Sequence, residues 1–106
     1  MKIEEFNDIT IIIGQNAQEN WNLINFDCDY IWLHLNSFPS CHVIIEDNNP
    51  EPEVLEYAAQ LCKENTKYRN LRNLRVNYTL LSNITKAETE GAVYMKSKRK
   101  VNNIVI

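Results

Sequence analysis

Short β-branched and alternating apolar runs recur along the chain, and each predicts a β-strand. The first, Ile9–Ile13, does not alternate, which is typical of a strand buried on both faces. Apolar residues then alternate over 30–35, and residues 42–46 return after a short loop as the second strand of a hairpin. Three more runs predict strands at 74–80, 91–95 and 101–106.

Two segments carry helix signals. Asn16 followed by Glu19 has the spacing of a capping box, and predicts a short helix that continues to Leu23. Further on, Asn49 before Pro50 predicts the start of a second, longer helix. Its apolar residues recur at helical spacing and would face a sheet: Val54, Leu55, Ala58, Leu61 and Cys62.

The order of elements predicts an α+β fold. It has a mostly antiparallel sheet, with one long helix and one short helix packed on it. The 106 residues fit a single domain spanning residues 1–106. Only two glycines occur, which excludes a glycine-rich phosphate loop, and no apolar run reaches the ~18 residues of a membrane span. Without a visible secretory signal, the sequence favours a cytoplasmic protein.

The charge is unevenly distributed. Residues 1–60 contain eleven acidic side chains and one basic one, whereas residues 61–106 contain ten basic and three acidic ones. Such asymmetry fits a basic binding face on an acidic protein. It also fits basic and acidic elements that neutralise each other, and the acids at the start and bases at the end of the second helix suit its dipole.

Chemistry at a metal or a thiol is weakly supported. Cys28, His34, Cys41 and His42 are spaced unlike any common zinc motif, so we expect neither a metal nor a cofactor. Cys41 and His42 are neighbours on a predicted strand and would point to opposite faces. We therefore expect no enzyme activity. The odd count of three cysteines predicts free thiols, with no pair close enough for a disulfide.

Aromatic and histidine side chains mark one side of the predicted hairpin. If Leu33 and Val43 face the core, then Trp32, His34 and His42 share the opposite side. Such a face can stack bases, as single-stranded RNA binders do. The alternative is that a helix covers this side and makes the rings part of the core.

Basic residues in the second half supply candidate phosphate contacts. A further candidate anion site is the helix start at Asn16, where backbone N–H groups are free. The candidate nucleic-acid-binding residues are therefore Asn16, His34, His42, Lys67, Arg69, Lys86, Lys96, Lys98, Arg99 and Lys100.

Several motifs, in order from about residue 9 to residue 106, together resemble the NFACT-R domain. The chain has Gly14-Gln15-Asn16-Ala17-x-x-Asn20, Asp29-x-x-Trp32-x-His34, Pro39-Ser40-Cys41-His42-Val43, Ala58-Ala59-x-Leu61, Thr66-Lys67-x-Arg69, Val76-x-Tyr78-Thr79, Lys86 and Gly91-x-Val93. Gln15 stands where the family usually has Arg, which removes a phosphate contact. Ser40 and Cys41 replace the usual Gly and Ser.

The resemblance implies a short, stand-alone RNA-binding module, with tRNA or ribosomal RNA as the favoured ligand and DNA as a further candidate. Large members of the family are ribosome-associated quality-control factors, so the resemblance also implies a role in that process or in translation. The rival hypothesis is a protein-interaction module that acts at a ribosomal complex without touching nucleic acid.

Overall fold

The computed structural model describes residues 1–25 and 29–106 and has an α+β fold in which every strand pairing is antiparallel. The elements are β1 (Lys2–Phe6), β2 (Ile9–Ile13), α1 (Ala17–Leu23), β3 (Ile31–Leu35), β4 (Val43–Ile45), α2 (Pro52–Glu64), β5 (Arg75–Leu80), β6 (Ile84–Lys86), β7 (Val93–Met95) and β8 (Asn102–Val105). Two 3₁₀ turns, Leu81–Asn83 and Lys98–Lys100, precede β6 and β8. None of the described helices is long and apolar enough to cross a membrane.

Six strands form the main sheet in the order β1-β2-β4-β3-β5-β8, while β6 and β7 form a separate hairpin. The register places Leu33 opposite Val43 and Trp32 opposite Ile44, as the alternation of the two strands predicts. In β2, Ile11 and Ile13 face one side and Ile12 the other. The predicted burial of this strand on both faces is therefore confirmed.

The side of the main sheet covered by α2, here called the α2 face, holds the larger core. Alternate residues of four strands meet the apolar stripe of the helix there, including Ile13, Leu33 and Val43, which are all fully buried. The helix begins later than the sequence predicts. Its N-cap is Glu51 with Pro52 at the first position, and no side chain caps it, so the predicted cap at Asn49 is wrong.

The opposite side, here called the second face, is covered by α1 and the β6–β7 hairpin. Its buried apolar residues are fewer: Ile12, Leu23, Trp32, Ile44, Leu81 and Ile84. The predicted capping of α1 is confirmed, since the backbone N–H of Glu19 donates to Oδ1 of Asn16 at 2.9 Å. The Glu19 carboxylate in turn accepts from the N–H of Gln15 at 2.9 Å.

Candidate nucleic-acid interface

Trp32, His34 and His42 form one cluster on the second face, as predicted. The indole N–H of Trp32 donates to Nδ1 of His42 at 3.1 Å. The two histidine rings are 5.2 Å apart and nearly perpendicular, while Trp32 and His34 are parallel at 5.6 Å. The alternative that the rings belong to the core holds for Trp32, which is only 1% exposed.

His42 is also largely buried. It is 2% exposed, so its ring is not part of an open surface, and its contact with nucleic acid stays a prediction. Burial, helped by the neighbouring His34, lowers the pKa of His42 to about 3. Burial also lowers the pKa of the half-buried His34. Its hydrogen bond to the Leu35 carbonyl acts in the opposite direction but is the smaller effect. Both rings are therefore neutral at physiological pH and cannot attract phosphate by charge.

A cavity of about 550 Å³, here called the histidine cavity, opens beside this cluster. It lies between the loop that joins β3 to β4 and the β6–β7 hairpin. Among the described residues its walls contain no acidic or basic side chain besides the two histidines: Trp32, His34, Leu35, Ser37, Phe38, Pro39, Ser40, His42, Asn77, Gly91, Ala92, Val93 and Met95.

A second cavity of about 580 Å³, here called the polar cavity, brings together Asn16 and Lys67, two of the predicted contacts. It shares Pro39, Ser40 and Gly91 with the histidine cavity, so the two are adjacent. Gly91 has a φ of +87°, and a Cβ there would come within 2.9 Å of Ala17. Only glycine therefore permits this close approach of the hairpin to α1.

Buried polar side chains hold the Lys98–Lys100 turn in place. The hydroxyl of Thr79, on β5, donates to the carbonyl of Lys100 at 2.9 Å. The amide of Asn83 donates to the Ser97 carbonyl at 2.9 Å and accepts from the Ser97 N–H at 2.8 Å. Since Thr79 and Asn83 are 3% and 4% exposed, the turn is anchored to the protein interior while its three basic side chains are exposed.

The remaining basic candidates are all exposed. Lys86 lies over the ring of Trp21 at 5.3 Å, Lys67 lies near the ring of Tyr68 at 5.4 Å, and Arg69 and Lys96 are on the surface. Within residues 1–25 and 29–106, none of these side chains forms an ion pair with an acidic group. Their charges are therefore available to a ligand, while their convergence on one continuous face stays a prediction.

No pattern in the sequence indicates the contact between Cys41 and Cys62. Each thiol donates to the backbone carbonyl of the other residue, at 3.7 and 3.8 Å, and both thiols are free. The prediction of free thiols is therefore confirmed for these two cysteines, which meet because the end of the β3–β4 loop lies against the last turns of α2. Cys28 lies outside the described residues, and in the described part no cluster of three potential metal ligands occurs.

Comparison with known proteins decides the family. The sequence model of the NFACT protein RNA binding domain matches residues 2–98. The chain belongs to this family. The NFACT-R match thus covers α1, the cluster of Trp32, His34 and His42, α2 and the β6–β7 hairpin. It ends inside the Lys98–Lys100 turn.

The chain is similar to parts of two larger chains. The chain is 28% identical over 85 residues to the Rqc2 homolog RqcH of Bacillus subtilis, which is 78% of this chain but only 15% of that protein. It also superposes on the C-terminal structure of the fibronectin/fibrinogen-binding protein of Streptococcus suis. The TM-score is 0.83 at 22% identity, over 92% of this chain and 40% of the other, which establishes a shared fold.

Three residues that hold elements of the site in place were not predicted from the sequence. Asn20 is buried and its Oδ1 accepts from the backbone N–H of His42 at 3.1 Å, which ties α1 to β4. Asp29 accepts from both the N–H and the hydroxyl of Ser82, at 3.0 and 3.2 Å, and so holds the 3₁₀ turn before β6. Asn83 anchors the basic turn. For Asn20 and Asp29 the only signal was their place in the family motifs.

Proposed function

We propose that this NFACT-R domain binds RNA through its exposed basic side chains, with tRNA or ribosomal RNA as the favoured ligand. It would act in the cytoplasm, in ribosome-associated quality control or translation, and it would have no catalytic role. The observation that carries the proposal is the Lys98–Lys100 turn. Its backbone is anchored by buried Thr79 and Asn83, and within the described residues its three exposed basic side chains form no ion pair, in a chain of a family described as RNA-binding.

An anchored backbone favours phosphate binding because only the side chains of the turn remain to be ordered on association. A flexible basic loop would have to be ordered first. Lys67 in the polar cavity, together with Arg69, Lys86 and Lys96, would supply further phosphate contacts. Because each neutralised phosphate releases counterions, the logarithm of affinity should fall linearly with the logarithm of salt concentration.

The test is the salt dependence of RNA affinity, measured by fluorescence anisotropy. Replacing Lys98, Arg99 and Lys100 together by Ala should reduce the slope for a single-stranded RNA by about two, at ~0.7 per phosphate. All RNA sequences should weaken alike, because phosphate contacts carry no base information. A DNA of the same sequence, measured in parallel, would establish which nucleic acid the domain prefers.

The matched control is Lys98→Arg, Arg99→Lys and Lys100→Arg in one chain, which keeps all three charges and should keep the slope. If the alanine variant binds with the same affinity and slope as the original chain, the turn makes no phosphate contacts. If the original chain binds no RNA at low salt, the RNA-binding proposal is wrong and the protein-interaction hypothesis replaces it.

A further inference from the structure

We propose that the histidine cavity accepts one unpaired base of the bound RNA, an inference that rests on the proposed RNA-binding function. The cavity volume of about 550 Å³ lies within the range of ~300–1,000 Å³ that is usual for small-ligand pockets. Rings and apolar side chains form much of its wall, including Trp32, Phe38, Val93 and Met95. A flat, largely apolar group of the size of a base matches such walls.

The hydrogen-bonding groups in the wall have fixed roles. Nδ1 of His42 accepts the Trp32 indole proton, so the neutral ring carries its own proton on Nε2 and offers a donor there. Nδ1 of His34 lies 2.6 Å from the Leu35 carbonyl and must donate to it, which leaves Nε2 as an acceptor. Among the described residues, neither Nε2 atom has a hydrogen-bond partner.

This combination suits the edge of a base. Bases present donors and acceptors side by side, and proteins recognise splayed-out bases through such edges. The His42 ring is 2% exposed and fixed by its bond to Trp32, so its donor would be preorganised for a ligand in the cavity. The Asn77 side chain, whose amide donates to Asn36 at 3.3 Å, retains a free oxygen in the same wall.

The charge pattern favours a base within RNA over a charged metabolite. The histidine cavity offers no cation at neutral pH, whereas the adjacent polar cavity contains Lys67. The boundary between them is formed by Pro39, Ser40 and Gly91. A nucleotide that crosses this boundary would place its uncharged base on one side and a phosphate near Lys67 on the other.

The test compares ribo-octamers of A, C or U with an abasic phosphoribose octamer of the same length over the same series of salt concentrations. At least one base-bearing octamer should bind about tenfold more tightly than the abasic one, with an unchanged salt slope. Nitrogen-15 NMR should show the Nε2 signals of His34 and His42 shifting with that octamer and not with the abasic one.

A pocket-filling variant isolates the cavity. Ala92 lines it and is exposed, so Ala92→Leu should abolish the tenfold preference and leave the salt slope unchanged. The control is Thr89→Leu, which introduces the same side chain on the same hairpin outside the cavity and should behave as the original chain.

Three results would overturn the inference, and each has a different meaning. Equal binding of base-bearing and abasic octamers, with a normal salt slope, rejects the base cavity but leaves RNA binding in place. Free adenosine, cytidine or uridine that shifts the histidine signals at lower concentration than any octamer assigns the cavity to a metabolite. No binding of any octamer at low salt rejects the RNA-binding function itself and the cavity's role with it.

Discussion

The two faces of the main sheet differ in what they bury. On the α2 face, apolar residues of the strands and the helix interlock, with Ile13, Leu33 and Val43 at zero exposure. On the second face, buried polar side chains occur among the apolar ones: Asn20, His42, Thr79 and Asn83. Both cavities and the basic turn adjoin these polar residues, so the α2 face provides stability while the second face provides fixed geometry.

The difference has a physical basis. Interlocking apolar side chains contribute most to stability when they exclude water, and they leave nothing for a ligand to bind. Buried hydrogen bonds add little net stability, but each one fixes a donor or an acceptor in a defined direction. The second face uses them to anchor the Lys98–Lys100 turn through Thr79 and to orient the His42 ring through Trp32.

The largest effect on stability should come from the α2 face. Leu33→Ala should lower the free energy of unfolding by about 2–5 kcal/mol in urea denaturation, because it leaves a cavity in a rigid core. His34→Phe, one residue further along β3 but on the second face, should change it by less than about 1 kcal/mol. The folded Leu33→Ala protein should bind RNA like the original chain. Equal losses of stability for both variants would contradict the division of roles.

The second-largest effect should be a loss of stability in mild acid. Because the pKa of His42 is lowered to about 3 in the folded state, the unfolded chain binds a proton near pH 6.5 that the folded chain does not. The contribution of neutral His42 to the free energy of unfolding is therefore fully present above pH 6.5. Below this pH it decreases by about 1.4 kcal/mol per pH unit. Urea denaturation at pH 7.5 and 5.5 should show a difference of about this size.

The control for the acid effect is His42→Gln. Its side-chain oxygen can still accept the Trp32 indole proton, but it does not titrate, so most of the pH dependence should disappear. The smaller remainder would come from His34, whose pKa is lowered in the same direction. A stability that is flat between the two pH values in the original chain would mean that His42 is not buried in its neutral form.

Local patterns predicted the parts of the fold and the site that depend on neighbouring residues. The alternation in β3 and β4 gave their register, and therefore the shared side of Trp32, His34 and His42. The Asn16–Glu19 spacing gave the start of α1. These features follow from the period of a strand or a helix, which a single sequence displays directly.

Features that depend on distant parts of the chain were not predictable. The sequence pattern did not predict β1, because it is an edge strand whose side chains are mostly exposed and which therefore lacks an apolar signal. His42 is buried because α1 and the β6–β7 hairpin pack over the second face. No local sequence pattern indicates this packing. The same holds for the contact of Cys41 with Cys62, which are brought together from 21 residues apart.

The smallest effect on stability, with a clear effect on binding, should come from the rim of the polar cavity. Gln15 is exposed, lines this cavity beside Lys67, and stands where the family resemblance expects Arg. Gln15→Arg should therefore add one phosphate contact, which steepens the salt dependence of RNA affinity by ~0.7 and tightens binding a few-fold at low salt. The free energy of unfolding should change by less than about 0.5 kcal/mol, because the side chain is on the surface. Gln60→Arg, on the exposed side of α2 and away from both cavities, is the matched control and should leave the slope unchanged. If both substitutions steepen the slope equally, RNA affinity depends only on the net charge of the domain. The idea that RNA binds at the second face would then be wrong.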